Sequence, residues 1–412
     1  DMAAEMGMSG LHAERRKWAD AHAAPLLQKI PHTNGPEPER LLRIGYVSAD
    51  FREHSAARAF GSMLMEFDRS RFEVFAYTNS VQTDELTRHI RQSVTCWRKI
   101  VGLSDHAVAE LVRQDRIDIL VDLSGFSAGN RLLVFARKPA PVQITAWGYA
   151  SGTGMGAMDV LLSDNVVIPP EEKQFYTEQI RYLPSFLTYF ARQAPPAVGE
   201  LPALTAGHIT FGSFNRLAKI SDEAYRTWAQ VLQAVPASRM ILKTGELSDA
   251  GTRARVIAHF AGSGIAAERI TLLGGTPWQE HMEAFNRVDI SLDPFPQGGG
   301  VTTMEGLLMG VPVVTLRWQT LSGRISASFL TTLGMPDWIA ESPGQYIEIA
   351  QRKAQDIPGL AGLRGRMRAR FMSSVLGDTR AYVGAVEREY RQLWREWCGK
   401  NDSLQPASDR KS

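Results

Sequence analysis

Two cations and two histidines stand where short loops give way to helices. They are Arg216 and Lys219 in GSFNRLAKIS, His54 in VSADFREHSAAR and His281 in TPWQEHMEAF. A further stretch offers backbone donors. In LDPFPQGGGVTTMEGLLMGVPVVT (residues 292–315), Gly298, Gly299 and Gly300 run into Val301, Thr302 and Thr303, ahead of a helical MEGLLMG pattern. The first N–H groups of a helix lack intrahelical partners and carry the positive end of its dipole, so the stretch suits an anion. Glu305 in the first turn makes a nucleotide diphosphate a better fit than free phosphate, with amides for the phosphates and the carboxylate for ribose hydroxyls. A glycine run before a helix can also be only a turn, so the reading depends on partners.

Lys219 is the first such partner. A lysine at a departing phosphate stabilises charge that grows as the bond breaks, where electrostatic help is most effective. Arg216 would share that load; the alternative is a solvated surface pair. His54 follows the first strand by a short loop, where it can take a hydroxyl proton, cap the next helix or bind substrate without moving protons. Pro277 suits a first helical turn. It puts His281 in a helix beside the glycine loop, to hydrogen-bond a phosphate, stack on a cleft wall or lie exposed.

The elements that must position these residues alternate in type. LLRIGYVS (41–48), FEVFAYT (72–78), IDILVDLS (117–124), VQITAWG (142–148) and DVLLS (159–163) are apolar runs suited to a parallel sheet covered on both faces. Helical periods lie between them, one capped by Ser104 and another over 130–137. Residues 190–207 read as a linker, rich in Pro and Ala. A second series follows: HITFGSF (208–214), RMILKT (239–244), RITLLGG (269–275), VDISLD (288–293) and VPVVTL (311–316). Its helices are capped by Ser221 and Thr252. The pattern predicts two doubly wound α/β domains, with ligands in a cleft at the carboxyl ends of their strands. The predicted boundaries are 1–40 for a helical remnant and linker, 41–195 and 205–377 for the domains, 378–398 for a C-terminal helix packing back on the domains and 399–412 for a disordered tail.

Composition narrows the class. The 412 residues are 44% hydrophobic and 22% charged, with a net charge of +2, which argues against a dedicated nucleic-acid surface. Cys96 and Cys398 have no metal-ligand spacing, so a reducing cytoplasm is the default. No apolar run approaches a membrane span. H-E-x-x-H, C-x-x-C, P-loop and D-x-D motifs are all missing. Phosphate charge must then be offset by Lys219, Arg216 and amide dipoles.

LRIGYVSADFREHSAAR, DILVDLSGFSAGNRLLVFARKPAPVQITAWGY, GSFNRLAKIS and DISLDPFPQGGGVTTMEGLLMGVPVVT, in this order, resemble the catalytic region of the O-linked N-acetylglucosamine transferases and of the SPINDLY-type protein O-fucosyltransferases. The resemblance covers about residues 41–397. It implies a GT-B glycosyltransferase fold and metal-independent, inverting transfer from a nucleotide sugar to Ser or Thr hydroxyls of proteins. UDP-N-acetylglucosamine is the expected donor and no other cofactor is implied. The alternatives are a fucosyl or other sugar from a different nucleotide, and a module that binds without turnover.

By the same resemblance Lys219 and His54 are the catalytic pair. Arg216, Thr276, His281, Gly299, Gly300, Val301, Thr302, Thr303 and Glu305 hold the donor, and Tyr149 and Thr153 face the acceptor. The family's glycine-tyrosine-proline-glycine turn is here Gly148, Tyr149, Ala150 and Ser151, a departure that favours the non-catalytic alternative. Relatives carry N-terminal tetratricopeptide repeats that select acceptors. The chain opens on Asp1, and residues 1–30 are expected to be the remnant that joins such repeats to the catalytic part.

Overall fold

The computed structural model describes residues 7–28, 30–149, 151–191 and 193–402. Two compact units divide them, one of Ala191–Asp378 and one of Met8–Phe190 with the chain from Thr379 onward. Each is built on its own all-parallel sheet, as the unbroken apolar runs require.

In the unit that begins at Met8, the strands are β1 (Leu42–Ser48), β2 (Phe72–Thr78), β3 (Cys96–Lys99), β4 (Ile119–Asp122), β5 (Val142–Thr145), β6 (Val160–Ser163) and β7 (Gln179–Tyr182). They lie in the order β3-β2-β1-β4-β5-β6-β7. β3 and β7 escape the sequence reading because they are edge strands whose residues are mostly half-buried or exposed, so neither carries an apolar run. The five other strands fall within the predicted stretches.

The unit from Ala191 holds β8 (Thr210–Ser213), β9 (Arg239–Lys243), β10 (Ile270–Leu273), β11 (Ile290–Leu292), β12 (Val313–Leu316) and β13 (Ile339–Ala340), in the order β10-β9-β8-β11-β12-β13. The two-residue β13 is too short to leave a periodic signal. Ser221 caps the helix Asp222–Ala234, its hydroxyl accepting the Ala224 N–H at 3.1 Å. That helix buries Trp228 completely, which favours folding by about 2–3 kcal/mol. The helix Ala250–Gly262 starts earlier than predicted, because Asp249 rather than Thr252 caps it and accepts the Thr252 N–H at 2.7 Å.

The first and last described helices both belong to the β1–β7 unit. The first helix, Met8–Trp18, gives way to a π turn (Ala19–Ala23) and a 3₁₀ turn (Ala24–Leu26). The last helix runs from Thr379 to Asp402, past the tail boundary predicted at 399; residues 403–412 lie outside the described residues. It buries Tyr382, Val386, Tyr390 and Trp394, whereas Trp397 is half-buried and stacks on Trp394 at 4.6 Å. The Tyr390 hydroxyl meets that of Tyr46 on β1 at 3.1 Å. No helix among the described residues is long and apolar enough to cross a membrane.

Candidate active site

The glycine stretch follows β11 and leads into the helix Val301–Leu308, whose N-cap, Gly300, supplies no side chain. The amides of its first turn are therefore uncapped by side chains, and Gly300, Val301 and Thr302 are partly exposed. Gly299 departs from its expected role among the phosphate-facing amides. Its N–H goes to Asp293 Oδ1 at 2.7 Å. Thr303 also turns inward: it is buried, and its hydroxyl meets that of Ser326 at 2.9 Å. Gly300, Val301 and Thr302 are thus the partly exposed members of the predicted set.

Gly299 has to be glycine here. A Cβ would lie 2.1 Å from Thr303 Oγ1 and 2.8 Å from Asp293 Oδ1. Asp293 organises this loop, since its other oxygen accepts the Thr315 hydroxyl at 2.8 Å. Burial pushes the Asp293 carboxyl above the usual range, while its hydrogen bonds and Lys219 oppose the rise.

Lys219 closes a 3₁₀ turn, Leu217–Lys219, after β8. Its Nζ donates to the Gly298 carbonyl at 2.9 Å. Ser221 donates to the Phe295 carbonyl at 2.7 Å, and Ile220 forms a β-bridge with Pro296. The loop after β8 is thereby fastened to the loop after β11, because β8 and β11 are neighbours in the sheet. Burial pushes the Lys219 ammonium below its ordinary value; Asp293 opposes this and Arg216 adds to it. Arg216 is exposed at the head of the turn. A half-buried cation therefore sits at the entrance to an uncapped helix terminus, an arrangement suited to a diphosphate.

His281 and Glu305 come together as well. His281 Nε2 lies 3.4 Å from Glu305 Oε2, and Trp278 Nε1 donates to Glu305 Oε1 at 3.1 Å. Glu305 is only 5% exposed. It joins the helix Trp278–Ala284 to the glycine-loop helix, a function its sequence position does not reveal. His281 also packs edge-on against Phe214 and Phe285.

Thr276 precedes this helix and accepts a hydrogen bond from Lys243 Nζ at 2.9 Å. Lys243, missed by the sequence reading, ends β9 and also donates to the Gly274 carbonyl at 3.0 Å. Its signal is a lysine closing an apolar strand at the sheet's carboxyl edge. Lys243, Thr276, Glu280 and Arg287 line an open pocket of about 360 Å³.

The remaining predicted residues belong to the β1–β7 unit. His54 is the N-cap of the helix Ser55–Met65, and its Nδ1 accepts the Ala56 N–H at 3.2 Å. A ring nitrogen that accepts a hydrogen bond keeps its lone pair, so the neutral ring carries its hydrogen on Nε2. That tautomer donates through Nε2 and suits orientation of a substrate better than proton removal by that atom. Tyr149 follows β5, half-buried. Thr153 does not fit an acceptor contact: it is 1% exposed and its hydroxyl donates to Glu178 Oε1 at 2.6 Å. Ala150, part of the altered turn, lies outside the described residues.

β5 and β1 flank β4, so the loops carrying Tyr149 and His54 leave the same edge of one sheet. Among the described residues no group of three or more His, Cys, Asp or Glu side chains is placed to hold a metal ion.

The profile of glycosyl transferase family 41 matches residues 10–194 and 200–386. The probable UDP-N-acetylglucosamine–peptide N-acetylglucosaminyltransferase SPINDLY of Petunia hybrida is 35% identical over 394 residues, 94% of this chain and 42% of that protein. Its namesake in Solanum lycopersicum is 36% identical over the same shares. The chain thus spans less than half the length of these plant relatives. A solved mutant of Thermobaculum terrenum O-GlcNAc transferase superposes with a TM-score of 0.91 at 36% identity, covering 97% of this chain and 76% of that one. With two Rossmann-like sheets and a family match along nearly all of both units, the chain belongs to glycosyl transferase family 41 and has the GT-B glycosyltransferase fold.

Proposed function

We propose that the chain is the catalytic region of a protein O-glycosyltransferase that moves N-acetylglucosamine from UDP to Ser or Thr hydroxyls, with inversion and without a metal. The observation that carries this reading is Lys219 on the Gly298 carbonyl, at the mouth of the uncapped helix Val301–Leu308. The activity for which the plant relatives and the bacterial enzyme are named supports the sugar, the nucleotide and the peptide acceptor.

In the reaction the acceptor oxygen attacks the anomeric carbon on the face opposite the diphosphate. The bond from that carbon to the phosphate oxygen breaks, and its electron pair leaves with UDP. Lys219 and the amides of Gly300, Val301 and Thr302 stabilise the growing negative charge, with Arg216 at the rim. His281 and Glu305 shape the nucleoside side, and Thr276 with Lys243 borders it. His54 orients the acceptor through Nε2–H, Tyr149 lines the acceptor side, and the acceptor proton passes to solvent.

Intact-protein mass spectrometry of candidate acceptors, incubated with UDP-N-acetylglucosamine and separately with GDP-fucose, tests the reading. A mass gain of one N-acetylhexosamine with the UDP donor is expected. A deoxyhexose gain with the GDP donor alone would replace the sugar. Donor binding with no nucleotide release from any pair would make the chain a binding module.

A further inference from the structure

We infer that the first helix, Met8–Trp18, belongs to the transfer machinery, with Arg15 and Glu178 as positioning residues for the turn at Ser151, Gly152, Thr153 and Gly154. The inference rests on the reading above that Tyr149, just ahead of this turn, lines the acceptor side.

The turn is gripped from several sides. The Arg15 guanidinium, on a residue only 8% exposed, donates to the Ser151 carbonyl. Glu178 Oε1 accepts both the N–H and the hydroxyl of Thr153, each at 2.6 Å. Gly152 and Gly154 take left-handed conformations, with φ of +85° and +72°. A Cβ on Gly154 would lie 2.7 Å from the Arg15 carbonyl carbon, so turn and helix meet backbone to backbone. On the opposite side Trp147, itself at φ +53°, donates its indole N–H to the Tyr382 hydroxyl at 2.9 Å. Gly148 lies so close to β4 that a Cβ would stand 1.6 Å from the Leu123 carbonyl oxygen.

This grip is costly. A bulky residue at positive φ carries strain of about 1–3 kcal/mol. His12 Nε2, Ser151 Oγ and Glu178 Oε2 are buried with no hydrogen-bond partner among the described residues, and each such atom costs about 1–3 kcal/mol unless water reaches it. The connection between β5 and β6 needs none of this merely to cross from strand to strand. The geometry points instead to a turn held in one conformation, as preorganisation of a reacting group requires. Helix Met8–Trp18 supplies one jaw of the clamp and the last helix supplies the other.

The test uses the full chain with Arg15→Met, Arg15→Lys and Glu178→Gln. Kinetics employ whichever donor the wild type turns over, and amide hydrogen exchange is followed over residues 151–155. For Arg15→Met the acceptor KM should rise at least about tenfold while donor KM stays within about twofold. Exchange should quicken at the turn alone, and Arg15→Lys should restore most of the loss.

Unchanged acceptor KM in folded Arg15→Met overturns the inference, and so does a uniform loss of kcat with both KM values moving together. If Arg15→Met fails to fold, Glu178→Gln must still shift acceptor KM, or the inference falls. A folded wild type that transfers no sugar refutes the transferase reading instead, and exchange at the turn then decides whether Arg15 pins it.

Discussion

Lys219 holds the Gly298 carbonyl at 2.9 Å, so the side chain expected to meet the leaving phosphate also fixes the loop expected to cradle it. One residue therefore sets both the charge and the shape of the anion site. Loss of its ammonium, as in Lys219→Ala, should cut kcat by about 10²–10³, the loss typical of one preorganised donor. Because Lys219 is half-buried on a turn, the melting curve should stay within about 1 kcal/mol of wild type. Nucleotide release under saturating donor measures the first and thermal unfolding the second. Near-normal turnover by the folded variant would remove Lys219 from the mechanism.

Gly299 tests the loop from the opposite direction. In Gly299→Ala the new methyl meets Thr303 Oγ1 at 2.1 Å and Asp293 Oδ1 at 2.8 Å, and overpacking of that kind costs about 1–3 kcal/mol. The loop must shift, so UDP should bind at least about tenfold more weakly. Calorimetric titration with UDP checks this; wild-type affinity would show that the loop does not contact the phosphates.

His54 carries two separable tasks, capping a helix and facing substrate. His54→Ala should lose about 1 kcal/mol of stability with the cap. His54→Asn should keep the stability, because an asparagine oxygen also accepts the Ala56 N–H. Both variants should lose turnover at least about tenfold if the imidazole orients the acceptor. Full turnover in His54→Asn would reduce His54 to a cap.

His12 makes the stability sensitive to acid. Burial holds its imidazolium pKa down at about 3, with Arg15 and Arg16 adding to the effect, against an ordinary value of 6.5. The unfolded chain therefore takes up the proton first, and stability is present above pH 6.5 and falls as pH drops from there toward 3. Between pH 7 and pH 5 the loss should be about 2 kcal/mol. His12→Phe keeps the edge contact with Tyr176 and should lack that slope. Asp122, whose carboxyl burial pushes up to about 6, titrates in both chains and cancels in the difference. Urea unfolding at the two pH values gives the comparison, and a pH-independent difference between the chains would disprove a buried neutral His12.

Much of this molecule was legible one segment at a time. The caps Ser104 and Ser221, the apolar stripe ending in Trp228 and the buried strands need only neighbours a few residues away to show themselves. The edge strands did not, since half-exposed residues carry no apolar period. Asp249 displaced Thr252 as a cap because either can serve and only the local backbone chooses between them.

The site divides along the same line. Residue type and spacing alone determined that a glycine loop opens a helix and that Lys219 follows a strand end, the two features from which an anion site is proposed, because both are local. Tertiary structure decided which polar groups of the loop are already paired. Asp293 takes the Gly299 N–H and Ser326 turns Thr303 inward, and neither pairing follows from spacing. It also decided that Glu305 answers to Trp278 and His281, and that Thr153 answers to Glu178. A hydrogen bond reaches about 3 Å in space whatever its distance along the chain. Arg15 grasps Ser151 from 136 residues away, and only folding brings such partners within that reach.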